Sequence, residues 1–140
     1  MKKRFVLGLF LPLALMAACN RKAEWTDTWP TTLYHFNDAE PGYVALNCMG
    51  TPVLALLDGD YPADATHFTL SIDGTIHPLG IFRGQHGRGM IIDDEKIVAS
   101  FAAAKREITF RVGKDWARSV PPDPRLQSFS QRCLTHRAQD

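Results

Sequence analysis

The chain has 140 residues, with 16 Lys and Arg against 15 Asp and Glu and a formal charge of +1. Three of the positive charges, Lys2, Lys3 and Arg4, sit at the extreme start; without them the remainder is slightly acidic, and it holds no basic run of the kind that nucleic-acid binding needs. The 122 residues after position 18 suffice for one domain with a single core.

Phe5 to Ala18 is an uncharged apolar run behind that positive start, which is the anatomy of a secretory signal. As a helix it would rise about 21 Å, short of the roughly 30 Å hydrocarbon core that a permanent span must cross. Its end, Leu15, Met16, Ala17, Ala18, Cys19, resembles the lipobox of bacterial lipoproteins, with Met16 where Leu is usual. The resemblance implies cleavage after Ala18 and a membrane-anchoring lipid on Cys19, with no other cofactor expected. Asn20 in place of Asp implies, by the same resemblance, the outer membrane, with the domain facing the periplasm. The other reading is ordinary cleavage near Ala18 without a lipid.

Cysteine arithmetic points the same way. The chain has three cysteines, and an exported protein with an odd number must account for the extra one. Lipidating Cys19 leaves Cys48 and Cys133, which are expected to form a disulfide in the oxidising periplasm. No CxxC and no ligand-spaced His accompanies either.

Residues 19–31 read as the lipidated terminus and a polar tether, in which Trp25 and Trp29 either pack on the domain or sit at the lipid interface. The domain is expected over 32–140. From Tyr43, Val44, Leu46 and Cys48 alternate with Ala45, Asn47 and Met49, a half-buried strand. Gly50 and Thr51 allow a turn, and the continuous apolar run Val53 to Leu57 reads as a central strand ended by Asp58, Gly59 and Asp60. Phe68, Leu70 and Ile72 alternate with polar neighbours, and Asp73-Gly74 signals a tight hairpin into a strand from Thr75 to Phe82. Pro78 cannot donate to a ladder and places that strand at an edge. Gly80, Gly84, Gly87 and Gly89 predict an irregular loop. Asp93 or Asp94 caps a helix running to about Lys105, with Ile97, Val98, Phe101 and Ala104 on one face. Ile108, Phe110 and Val112 mark a last strand. Asp123 and Pro124 open a short helix that turns Leu126, Phe129 and Cys133 the same way.

The expected fold is mainly β with one or two helices: five or six mostly antiparallel strands, as a small sandwich or a sheet with a packed helix, closed by one disulfide. In the order of its elements, residues 43–133 resemble the exported β-rich domains of the invasion-associated locus B type.

Chemistry-bearing motifs are sparse. Arg83, His86 and Arg88 make the glycine-rich stretch the most basic part of the domain and a candidate loop for an anionic group; the plainer reading is a solvated loop tip. Asp58, Asp60 and Asp64 lack the further oxygen ligands of a calcium loop, so no metal is expected. His77 falls on the same face as Leu70 and reads as a core histidine. There is no HExxH and no GxSxG. The domain is therefore expected to be a non-enzymatic binding module with an envelope protein partner, of inhibitor, immunity or assembly-accessory type. The alternatives are a small envelope hydrolase or anionic-ligand receptor using the Arg83 to Gly89 loop, and a structural surface lipoprotein. For processing, Cys19→Ser should abolish labelling by a radioactive fatty acid and release the protein from membranes; unlabelled wild type with unchanged membrane retention would contradict the lipid anchor.

Overall fold

The computed structural model describes residues 23–37, 39–62, 64–79, 82–84 and 87–139. The signal segment 1–18 and Cys19 lie outside them. The described residues form ten strands and two helices. Strands β1 (Trp25–Thr28), β2 (Thr31–His35), β3 (Tyr43–Cys48) and β4 (Pro52–Leu57) make a meander, and β8 (Gly87–Ile92) and β7 (Phe82–Gly84) extend it to the order β1-β2-β3-β4-β8-β7. A second sheet has the order β10-β9-β5-β6, from β5 (Phe68–Ile72), β6 (Thr75–Leu79), β9 (Ile108–Val112) and β10 (Trp116–Val120). Every pairing is antiparallel. Helix α1 (Glu95–Ala102) links β8 to β9, and α2 (Pro124–Gln139) follows β10.

Period-two alternation sorts each strand into two faces. In the larger sheet Tyr34, Val44, Leu46, Leu54, Leu56, Met90 and Ile92 turn inward and are buried. In the smaller sheet Phe68, Leu70, Ile72, Ile108, Phe110 and Val112 do the same. All join one hydrophobic core. The fold is thus an antiparallel two-sheet sandwich with two helices.

Helix α1 starts as its sequence predicts but ends at Ala102 instead of about Lys105, so that Ala104 lies beyond it. Asp94 accepts the backbone N–H groups of Lys96 and Ile97 at 3.0 and 3.2 Å, relieving two of the unpaired donors of the first turn. Val98 and Phe101 are buried, and the Phe101 ring reaches both sheets, 6.0 Å from Trp25 and 6.5 Å from Phe110. The exit of α1 is held by the β5–β6 turn, where Asp73 and Gly74 have φ of 48° and 87°, the left-handed pair that a type I′ hairpin requires. The Asp73 carboxylate accepts from the N–H groups of Lys105, Arg106 and Glu107 at 2.7 to 3.0 Å.

The disulfide joins Cys48 at the end of β3 to Cys133 of α2, 85 residues apart in sequence. Leu126, Phe129 and Cys133 all face the core, as the helical period requires, and α2, expected to be short, runs for 16 residues to Gln139.

Several expectations need correction. The tether does not extend to residue 31: β1 pairs with β2 from Trp25, whose ring is buried and donates its Nε1–H to the Pro121 carbonyl at 2.9 Å. Strands β1, β2 and β10 carry too few apolar residues to announce themselves. The strand from Thr75 stops at Leu79, and Phe82 belongs to the other sheet. The glycine-rich stretch is no irregular loop but the β7–β8 hairpin at the edge of the larger sheet. Gly89 is required there, because a Cβ would come within 2.7 Å of Leu57 Cδ2 on the neighbouring strand. Pro78 does lie on an edge strand.

Closing an 85-residue loop restricts the unfolded chain, so Cys48→Ala with Cys133→Ala should destabilise the domain by about 2 to 5 kcal/mol in chemical denaturation. Alkylation of native, unreduced protein should modify neither cysteine.

Candidate functional site

Two parts of the surface, and one of the residues predicted from sequence, have a structural explanation. Arg118 projects from the inward parity of β10, opposite Phe110, at a position where an apolar residue would normally stand. It is tolerated because its guanidinium lies 4.7 Å over the Trp116 ring, with Nη2 donating to Asp60 at 3.0 Å. Its Nε faces Glu40 at 3.6 Å, an ion pair without a hydrogen bond. Asp60 also accepts the Trp116 Nε1–H at 2.6 Å, and this bond outweighs the opposing effect of burial and, with a lesser contribution from the charge of Arg118, holds its carboxyl below the ordinary carboxylate range. The Asp58, Gly59, Asp60 turn therefore closes one end of the sandwich through Asp60. Asp58 takes a left-handed φ of 56°, as a short polar residue can. Among the described residues no group of three or more His, Cys, Asp or Glu is placed to hold a metal ion.

His77 does pair with Leu70 across β5 and β6, but β6 is an edge strand, so the imidazole is half-buried at the margin and not in the core. Arg83 and Arg88 stand directly opposite each other in the β7–β8 register, while His86 lies outside the described residues. A groove of about 300 Å³ opens between α1, α2 and the start of β4, lined chiefly by Pro52, Val98, Ala99 and Leu134.

The most distinctive surface is one that the sequence reading passed over. On the outward parity of the larger sheet, Leu33, Ala45, Ala55 and Ile91 form one continuous row across β2, β3, β4 and β8. The row on one side of it is His35, Tyr43, Leu57 and Gly89, and on the other Thr31, Asn47 and Val53. None of these positions carries an Asp, Glu, Lys or Arg. Ala45 and Ala55 are buried at 2% and 4% exposure, Leu33, Tyr43, Val53 and Leu57 are half-buried, and Ile91 is 43% exposed; none of these belongs to the hydrophobic core cluster. The outward face of the smaller sheet is different in kind. There Thr69, Ser71, Thr109, Arg111 and Ser119 predominate, and Thr109 and Ser119 share a hydrogen bond at 3.0 Å.

A sheet face bounded by water is expected to alternate to polar residues, so β3 and β4, apolar on both parities, have the character of strands covered on both sides. The apolar run Val53 to Leu57 carried that signal. What it could not show was that the core covers only one of the two sides.

No helix of the described residues is long and apolar enough to cross a membrane. Compared with known proteins, the chain matches no protein-family model, no curated protein and no solved structure.

The carboxylates set a pH dependence. Asp60, Asp73 and Asp123 all have lowered pKa values, from the Trp116 bond, the three backbone N–H groups at residues 105–107, and the Arg125 guanidinium respectively. A depressed folded-state pKa contributes stability that is complete above the unfolded carboxylate value of about 3.9 and is lost as pH falls through the folded values. The thermal midpoint should accordingly be flat between about pH 7 and 5 and fall below about pH 4, with a shallower fall in Asp73→Asn. Thermal melts monitored by circular dichroism across this range check the slope.

Proposed function

We propose that the chain is an outer-membrane lipoprotein, anchored through a lipid on Cys19 with its domain in the periplasm, and that the domain acts by binding an envelope protein through the outward face of its larger sheet. Catalysis is not part of this reading. The observation that carries it is the uncharged apolar face around the Leu33, Ala45, Ala55, Ile91 row, outside the core of the domain. Here the partly exposed Leu33, Tyr43, Val53, Leu57 and Ile91 surround the buried Ala45 and Ala55; an uncharged apolar patch at the surface is the usual mark of an interaction site, and the cores of protein interfaces are depleted in charge. The anchor is supported by the signal anatomy and by the pairing of Cys48 with Cys133, which leaves Cys19 as the cysteine without a disulfide partner. An inhibitor, an immunity protein or an assembly accessory would each use such a face.

A second reading has one observation in its favour. Arg83 and Arg88 share a register position on the edge hairpin, so two arginines of a net-negative domain are opposite each other in the ladder, which suits an anionic-ligand receptor or a small hydrolase.

The test places a charge on each sheet. Ile91→Glu alters the proposed face, and Ile76→Glu alters the 67%-exposed position on the outward side of the smaller sheet. Both should fold like wild type, because exposed positions shift stability by about 0.5 kcal/mol or less. A partner recovered in stoichiometric amount with wild type should bind Ile76→Glu equally and Ile91→Glu at least about tenfold more weakly. Retained binding in Ile91→Glu, with loss in Arg83→Ala/Arg88→Ala, would move the function to the hairpin.

A further inference from the structure

We infer that the exposed face of α2, together with the Trp29 turn between β1 and β2, rests on the anionic headgroups of the bilayer that carries the anchor; this rests on the lipid-anchor reading above. Helix α2 contains no Asp or Glu but carries Arg125, Arg132, His136 and Arg137. The rest of the chain after residue 18 has ten Lys and Arg against fifteen Asp and Glu, so positive charge is concentrated on this one element. Leu126, Phe129, Ser130 and Cys133 fill its buried side, whereas Arg132, Leu134 and His136 are exposed, Leu134 at 45%. Trp29, half-buried, lies under the Arg132 guanidinium at 4.0 Å and is flanked by the Phe129 ring at 5.1 Å and the His136 ring at 5.4 Å. A cation held on an indole matches a bilayer interface: the guanidinium meets phosphate and the indole sits at headgroup depth.

Proximity comes from the chain itself. Arg125 donates to the Trp25 carbonyl at 3.2 Å, so the point where the tether enters β1 lies beside the first turn of α2. Only residues 20–24 separate Cys19 from β1, a reach of about 20 Å when extended, less than the roughly 24 Å length of α2 itself. The lipid thus makes docking an intramolecular step at high effective concentration. Arg125 contributes little, since Asp123 pairs with it at 2.7 Å and Glu24 and Asp27 are close enough to act on it. The attraction belongs to the second half of the helix, around Arg132. Because Cys133 is bonded to Cys48 on the inward parity of β3, α2 and the outward sheet face lie on opposite sides of the larger sheet. Seating α2 on the bilayer leaves that face directed away from it.

The test uses the full lipid-modified protein in vesicles with brominated acyl chains, made of phosphatidylcholine alone or of phosphatidylcholine with phosphatidylglycerol. Trp25 and Trp116 are buried, so quenching reports Trp29. Stronger quenching in the anionic vesicles, relieved by raised salt, is expected, and Arg132→Ala should lower the ratio of docked to undocked protein by about fivefold. Equal quenching in both vesicles, with the lipid mass present on Cys19, would overturn the contact while the anchor stands. Absence of the lipid mass would overturn the anchor instead. The contact is then read by flotation of the unlipidated chain: recovery with anionic but not zwitterionic vesicles supports it, and recovery with neither overturns it. If neither vesicle quenches Trp29 and Arg132→Ala weakens capture of the protein partner, the face belongs to that partner and the proposal fails.

Discussion

Phe101 touches both sheets at once, through Trp25 on one side and Phe110 on the other, and the sandwich is organised around that contact. A helix of eight residues is marginal on its own, so α1 exists because its Val98 and Phe101 face is buried and because both of its ends are fixed. Asp94 supplies acceptors at the start. At the finish, the carboxylate of Asp73 gathers three successive N–H groups that would otherwise need water, and so steers the chain from α1 into β9. The hairpin turn is thereby a tertiary clamp as well as a local reversal.

The two remaining closures follow from the same need to seal a small core. At one end, α2 is bonded to β3 by Cys48 and Cys133, and its Leu126 and Phe129 complete the apolar interior. At another, Arg118 faces inward and is made acceptable by Asp60, Glu40 and Trp116, with Tyr61 packed edge-on against Trp116 and Phe68. A half-buried cation of this kind adds little net stability over an apolar residue, but removing one partner would leave the other less well compensated. The cluster thus fixes where the turn after β4 meets β10.

Outside the core the surface separates into zones with different physical character. The outward side of the smaller sheet is lined largely by hydroxyl side chains, that of the larger sheet by apolar side chains without charge, and α2 sets arginine and histidine around a tryptophan. Under the proposed lipid anchor, a short tether would restrict the orientation of the domain. Helix α2 next to the tether and an apolar face on the opposite side of the larger sheet are mutually compatible assignments, since each contact leaves the other free.

Where a residue's neighbours are close in sequence, the amino-acid order alone determined the outcome: the β3 and β4 strands, the Asp73-Gly74 turn, the cap and apolar stripe of α1, and the inward line of Leu126, Phe129 and Cys133. These are short-range rules of period, turn geometry and capping. Strands β1 and β10 were illegible because Asp27 and Arg118 interrupt their apolar pattern, and only distant residues explain them: Tyr34 and Pro121 around Trp25, Asp60 and Glu40 around Arg118. The glycine-rich stretch became a hairpin because β4 offered it an edge, and Gly89 could lie beneath Leu57. That β3 and β4 are apolar on both faces was written in the sequence. Which face the core would take was decided by tertiary packing, because burying one face depends on a second sheet and two helices contributed by residues more than 80 positions away, and local periodicity carries no information about them.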